Sequence, residues 1–143
     1  MVEFKEFSRR FGMLPAFIKK EGKKILKGDQ QRIIDMVKAQ QHAGVNVEGE
    51  QMQGGYSKGY RKRRSKKGLQ TGFVDLHFTG KMHKGLKVRP VKSGVDVRSH
   101  EPYEYYVRAN FPKSFGLIEP NAELIASHVA NLLAVQMKKF LVA

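Results

Sequence analysis

Apolar residues recur at helical spacing near the start of the chain. Phe4, Phe7 and Phe11 are separated by three and four positions, which predicts a short helix over residues 3–13. Pro15 suits the first turn of a second helix, where its missing N–H has no helical partner to lose. The same apolar spacing continues beyond this proline. We therefore expect two successive helical stretches in the N-terminal part.

The second stretch contains Gly22 and Gly28, and each glycine weakens a helix interior by about 1 kcal/mol. Two interpretations follow: one helix over residues 15–43, or a break at Gly28 with Asp29 as the N-cap of a new helix. Gly44 fits the position just past the helix end, where a left-handed backbone is common. Residues 1–43 are thus predicted to be helical.

The centre of the chain loses this periodicity. Residues 44–72 are rich in glycine, polar and basic side chains with no sustained period, which predicts one long basic loop. Residues 73–78 alternate apolar and polar positions, the pattern of a short β-strand. Thr79 and Gly80 then give a turn or helix-cap signal.

A β-hairpin is predicted next. Leu86 and Val88 face one way on the first strand, and Val95 and Val97 return on the second after a short turn. Pro90 has no N–H to donate to a ladder, so its strand is expected at a sheet edge or at a bulge.

The last third of the chain ends in a second helical pattern. Residues 103–111 predict either a short helix or an extended aromatic segment, and residues 112–116 predict a loop. After Glu119 and Pro120, an apolar stripe covering about half a helix circumference continues to Phe140. A face that wide indicates an amphipathic C-terminal helix that covers the sheet or is buried between neighbours.

The elements together predict an α+β fold in a single domain over residues 1–143. N-terminal helices come first, followed by the long basic loop. Residues 73–143 then form a small antiparallel β-sheet with a hairpin, and the C-terminal amphipathic helix packs on that sheet.

The net charge of +14 is concentrated in the middle of the chain. Residues 56–92 hold twelve basic side chains and one acidic one. The densest run is interleaved with Tyr56 and Tyr60, and aromatic rings can stack on bases while cations neutralise phosphates. This run is therefore a candidate surface facing DNA or a partner, or else ordinary solvated surface. Its basic residues are Lys58, Arg61, Lys62, Arg63, Arg64, Lys66 and Lys67.

Other kinds of chemistry find little support. The chain has no cysteine, and its five histidines lack the spacing of a zinc motif, so we assign no metal and no cofactor. No nucleophile elbow, P-loop or dinucleotide fingerprint is present, and we expect no enzyme. The longest apolar stretches are far shorter than the ~20 residues of a membrane span, so we expect no membrane partner. The histidines are His42, His77, His83, His100 and His128.

Several short motifs follow one another in residues 44–88. A G-x-x-x-x-G loop spans residues 44–49, Y-S-K-G-Y spans 56–60, D-L-H-F-T-G-K-M spans 75–82, and L-K-V spans 86–88. This order resembles the small virion-morphogenesis and tail-completion proteins of tailed bacteriophages, the head-tail joining class. The motif residues expected to be structural are Tyr56, Tyr60, Asp75, Leu76, Thr79, Gly80 and Met82.

The end of the chain resembles the same class more loosely, since Lys113 and Ser114 stand where an arginine is expected. The resemblance implies a non-enzymatic virion protein at the head-tail junction, as a connector, neck or tail-completion protein that assembles as a ring in the host cytoplasm. Its implied partners are copies of itself and portal, connector or tail proteins, with non-specific contact to genomic DNA. The alternative hypothesis is a basic nucleic-acid-binding protein with non-specific phosphate contacts, and a nuclease ranks third.

Overall fold

The computed structural model describes residues 2–92 and 94–143, which form six helices and one two-stranded sheet. The predicted α+β class is confirmed. In chain order the elements are α1 (Phe4–Gly28), α2 (Gln30–His42), α3 (Lys58–Lys66), α4 (Lys81–Lys84), β1 (Leu86–Val91), β2 (Gly94–Ser99), α5 (Glu104–Asn110) and α6 (Glu119–Val142).

Helix α1 continues through Pro15 without a break, so the prediction of two helices meeting there is wrong. A proline inside a helix removes one backbone hydrogen bond. Here α6 supports α1 on both sides of the proline. The rings of Phe17 and Phe140 stack with centroids 4.2 Å apart, and Arg10 Nη1 donates to the Phe140 carbonyl at 3.2 Å. We call the α1 and α6 pair the helical arm.

The break at Gly28 is confirmed, because α1 ends there and α2 begins two residues later. The Asp29 side chain makes no cap hydrogen bond and instead lies 3.2 Å from His128 Nε2 on α6. Gly44 follows α2 with a φ of +73°, as predicted for a helix stop. A Cβ atom on Gly44 would lie 2.5 Å from the Phe73 ring.

The predicted hairpin is confirmed, with Val88 opposite Val97 and Pro90 opposite Val95 in an antiparallel register. One face of this hairpin packs on α2, and Ile125 of α6 completes the buried cluster. The cluster consists of Ile33, Ile34, Val37, Leu86, Val88, Val97 and Ile125.

The predicted C-terminal helix is present as α6, and its contact with the hairpin is limited to its start, where Ile125 joins the buried cluster. Farther along it packs on α1, and much of its remaining apolar surface is exposed: Leu124 by 54%, Val135 by 52% and Val142 by 59%. Of the alternatives for residues 103–111, the short helix is correct, since α5 lies there. Residues 112–116 form the expected loop.

Two expectations for the centre of the chain are wrong. The predicted loop 44–72 contains the helix α3, and residues 73–78 do not form a strand. Val74 and Asp75 are buried in succession rather than alternately, and Leu76 has a φ of +56°, which a strand does not allow. None of the described helices is both long enough and apolar enough to cross a membrane.

Candidate functional site

Arg64 is the only one of the seven predicted basic-run residues that is buried, with 0% of its surface exposed. Its Nη2 donates to both carboxylate oxygens of Asp75, at 2.9 and 3.0 Å. Nε donates to the Gln70 carbonyl at 2.8 Å, and Nη1 donates to the His77 carbonyl. All three guanidinium nitrogens are therefore used inside the protein. The prediction that Arg64 faces DNA or a partner is wrong.

Asp75 is the acceptor at the centre of this network. Besides Arg64, its carboxylate accepts from the Tyr56 hydroxyl at 2.8 Å, the Gln70 amide at 2.8 Å and the His77 backbone N–H at 3.0 Å. Burial by itself would raise the pKa of the Asp75 carboxyl, but these hydrogen bonds and the Arg64 charge outweigh it and hold the pKa below its usual value. Tyr56, Arg64, Gln70, Asp75 and His77 form what we call the Arg64 hub.

Aromatic rings enclose the hub on one side. The Arg64 guanidinium lies 4.3 Å from the centroid of the Tyr56 ring, a cation–π distance. Tyr60 packs edge-on against Tyr56 and lies 5.4 Å from Phe78. Burial, helped by the nearby Asp75 carboxylate, raises the pKa of Tyr56 to about 12, so this hydroxyl stays a donor. The motifs Y-S-K-G-Y and D-L-H-F-T-G-K-M thus meet in one network.

Helix α3 forms because both of its ends are fixed. The Ser57 hydroxyl accepts from the Tyr60 N–H at 3.3 Å as an N-cap. At the other end Gly68, with φ +69°, and Leu69 donate back to the last turn. Arg64 then ties that turn to the hub. Basic side chains in the last turn also lie at the negative end of the helix dipole, which stabilises them there.

The other six basic residues are exposed, and we call them the exposed basic surface: Lys58, Arg61, Lys62, Arg63, Lys66 and Lys67. Two of them lie over the ring of Phe78, Lys67 Nζ at 4.7 Å and the Arg63 guanidinium carbon at 5.7 Å. No acidic residue lies in α3. This surface is able to attract phosphates or an acidic protein face.

The remaining motif residues connect the hub to the hairpin. Gly80, with φ +79°, precedes α4, and the Thr79 hydroxyl accepts from the Lys81 N–H at 3.4 Å. Met82 is 1% exposed, and its carbonyl accepts from the Ser99 hydroxyl of β2 at 2.8 Å. These residues therefore make contacts within the fold, and Leu76, with a φ of +56°, supplies the left-handed turn beside Asp75.

Three histidines distant in sequence form a cluster that shares His77 with the Arg64 hub. The His42 and His83 rings are 4.5 Å apart, and His77 lies 5.2 Å from His42 and 5.7 Å from His83. Neither ring nitrogen of buried His83 has a partner among the described residues. Within residues 2–92 and 94–143, no set of three or more ligating side chains has an arrangement able to hold a metal ion. His100 and His128 lie elsewhere.

An open groove of about 940 Å³ lies beside the hub, between residues 53–57 and helix α5. We call it the aromatic groove, since five of its lining residues carry aromatic rings: Tyr56, Tyr60, Phe78, Tyr103 and Phe111. Its volume is typical of binding sites for drug-sized ligands. Sequence patterns could not reveal this groove, because its walls come from three separate stretches of the chain, 53–60, 76–81 and 101–111.

Gln70 is the hub residue that the sequence analysis missed. Its side-chain oxygen accepts from the Gly72 and Phe73 N–H groups, and its amide donates to the Phe73 carbonyl at 2.8 Å. An isolated glutamine in a polar stretch carries no periodic signal. In comparisons with protein-family models, curated proteins and solved structures, nothing matches this chain.

Proposed function

We propose that this chain is a non-enzymatic structural component of a bacteriophage virion, placed at the head-tail junction and assembling as a ring. The observation that carries the proposal is its large unpartnered surface. The chain exposes 9729 Å², whereas a compact monomer of 16.3 kDa exposes about 7,500 Å². An excess of that size provides enough surface for contacts with neighbouring subunits.

The excess includes apolar side chains on the helical arm. Phe4 is 86% exposed and Phe11 is 59% exposed on α1, and Val135 and Val142 are more than half exposed on α6. Contiguous exposed apolar surface marks interaction sites in soluble proteins. An arm of two long helices, attached to a small core, supports assembly with further copies and with portal, connector or tail proteins.

The Arg64 hub supports a structural role for the motif region. Its donors and acceptors are directed at one another, so the buried charges serve to hold α3 against residues 70–77. The exposed basic surface is thereby displayed on a fixed helix. In a ring around a genome channel, such a surface would contact DNA phosphates or an acidic neighbouring protein.

The test measures the mass of the protein in solution and its presence in phage particles. Purified full-length chain should give a multiple of the 16.3 kDa subunit mass in light scattering, and mass spectrometry of purified phage particles should detect the chain. A chain that stays monomeric at all concentrations and is missing from the particles would contradict the proposal.

A second candidate function is non-specific nucleic-acid binding, favoured by the six exposed cations on and beside α3. Replacing Lys62, Arg63 and Lys66 by glutamine should weaken binding to duplex DNA and reduce the slope of log K against log salt by roughly three. A triple replacement of exposed Lys19, Lys20 and Lys23 on α1 is the matched control. Equal losses in both variants would exclude α3 as the DNA-binding surface.

A further inference from the structure

We infer that neighbouring subunits of the proposed ring contact each other through two different surfaces. The tip of the helical arm of one copy is inserted in the aromatic groove of the next copy. The inference rests on the proposed function, because it names the contact by which the ring closes. The arm tip is defined as Phe4, Phe7 and Phe11 on α1. The occupant of the groove is thus a second copy of this chain.

The amount of free surface fits two contacts per subunit. The excess over a compact monomer is roughly 2,000 Å². A standard protein interface removes about 800 Å² from each partner, so two interfaces cover about 1,600 Å² per subunit. In such a ring every copy has two interfaces. Its own arm tip lies in the groove of one neighbour, and its own groove holds the arm tip of the other.

The arm tip is suited to insertion. Phe4, Phe7 and Phe11 are 86%, 38% and 59% exposed, and the Phe7 and Phe11 rings are stacked with centroids 6.3 Å apart. Beside these rings the single carboxylate of Glu6 accepts from both Arg9 and Arg10, at 2.7 to 2.9 Å. Glu3 and Lys5 are exposed. The tip therefore presents exposed aromatic surface, and part of the charge beside it is already paired.

The aromatic groove is the complementary surface. Aromatic rings in offset or edge-on contact attract one another beyond the effect of their buried area, and five rings line the groove. Its volume of about 940 Å³ has space for several phenylalanine side chains. Lys81 and Glu101 also line it and provide polar partners at the edge.

The two surfaces are separate on one subunit, which makes the contact heterologous. No α1 or α6 residue lines the groove among the described residues. Helix α1 has 25 residues and is therefore about 37 Å long, so its N-terminal tip lies far from the end that joins α2. Contacts between two different surfaces generate rings when the rotation closes.

The test uses two variants that each lose one surface. Phe4→Ser with Phe11→Ser changes exposed tip residues. Gln53→Trp with Asn110→Trp places two large rings in the groove at exposed lining positions. Each variant alone should be monomeric in light scattering. A 1:1 mixture should form a dimer, because one intact tip and one intact groove remain. The control is Tyr105→Ser, an aromatic residue 73% exposed outside both surfaces, which should keep the wild-type mass.

The outcomes separate the two proposals. Tip variants that retain the wild-type oligomer, with circular dichroism showing an unchanged fold, overturn the tip-in-groove contact and leave the ring proposal standing. A mixture without dimers, combined with oligomers of the groove variant, indicates tip-to-tip pairing and also overturns the contact. A wild-type chain that is monomeric at all concentrations and missing from particles contradicts the ring proposal itself.

Discussion

The guanidinium of Arg64 binds both carboxylate oxygens of Asp75, at 2.9 and 3.0 Å, and both residues are withdrawn from solvent. One residue comes from the most basic segment of the chain and the other is the only acid between residues 51 and 95. This pair decides the local structure, because it fixes the last turn of α3 against the segment that follows it.

Arg64→Met is expected to destabilise the protein by about 3–5 kcal/mol, because it leaves the Asp75 carboxylate buried without its cation. The measurement is urea unfolding followed by circular dichroism. Arg61→Met is the matched control, since Arg61 is an exposed arginine in the same helix, and it should change stability by less than about 0.5 kcal/mol. Equal effects of the two substitutions would show that the pair is not what stabilises α3.

The pair also predicts non-additive behaviour. Asp75→Asn alone should be destabilising because it leaves Arg64 charged and buried. The double variant with Arg64→Met should lose less than the sum of the single losses, with a coupling of about 0.5–3 kcal/mol. Additive losses in this cycle would mean that the two side chains act independently.

The contrast between Arg64 and its neighbours explains where sequence patterns fail. Seven basic residues without an acid nearby predict one solvated loop. The density of charge along the sequence does not indicate which of these side chains is buried against a partner. Asp75 lies eleven residues away and Gln70 six, so the burial of Arg64 depends on tertiary contacts. Ser57 is a suitable N-cap residue, but the basic residues that follow it lack the apolar periodicity by which a helix is recognised in a sequence.

Elements with strong periodicity were predictable. The α6 stripe, the hairpin and the stop at Gly44 follow from spacing and turn chemistry that act over a few residues. Residues 73–78 alternate like a strand, yet Asp75 is drawn inward by Arg64 and Leu76 adopts a left-handed turn. In residues 73–78 the pairing of Arg64 with Asp75 therefore outweighs the local alternating pattern. At Pro15 the contacts with α6 outweigh the local helix-breaking signal and stabilise an uninterrupted α1.

Gly44→Ala is expected to be strongly destabilising. A left-handed backbone costs a side chain about 1–2 kcal/mol, and the new Cβ would also lie 2.5 Å from the Phe73 ring and 3.0 Å from the Val74 carbonyl oxygen. Crowding of this kind adds about 1–3 kcal/mol. Gly49→Ala is the control, because its φ of +78° is similar and nothing lies within 4 Å. Urea midpoints should fall clearly more for Gly44→Ala, and equal shifts would exclude a contribution from crowding.

Phe140→Ala should loosen the helical arm. The ring stacks on Phe17 at 4.2 Å and is half-buried, so its loss is expected to cost roughly 1–3 kcal/mol, less than for a fully buried phenylalanine. Hydrogen exchange should then increase in α1 and α6 while the hairpin stays protected. Val135→Ala, on the same helix but 52% exposed, should leave exchange unchanged. Uniform exchange changes across the chain would contradict a local effect.

Acidification should destabilise the protein through His83. Burial, reinforced by the neighbouring imidazoles of His42 and His77, lowers the pKa of His83 to about 4 from 6.5, although Asp75 acts in the opposite direction and Lys38 adds to the lowering. The folded state therefore binds fewer protons than the unfolded state between these values. The stability that neutral His83 contributes is fully present above about pH 6.5, and it is lost as the pH falls towards 4.

The expected loss through His83 is up to about 3 kcal/mol, since each pKa unit corresponds to about 1.4 kcal/mol. Asp75 contributes in the same direction only in a lower pH range, because its pKa is below the usual value. Urea unfolding between pH 7 and pH 4 measures the slope. His83→Phe should flatten it, because an apolar ring takes up no proton in the unfolded state. His100→Phe, at an exposed position outside the cluster, should keep the wild-type slope. A slope unchanged by His83→Phe would assign the acid sensitivity to other groups.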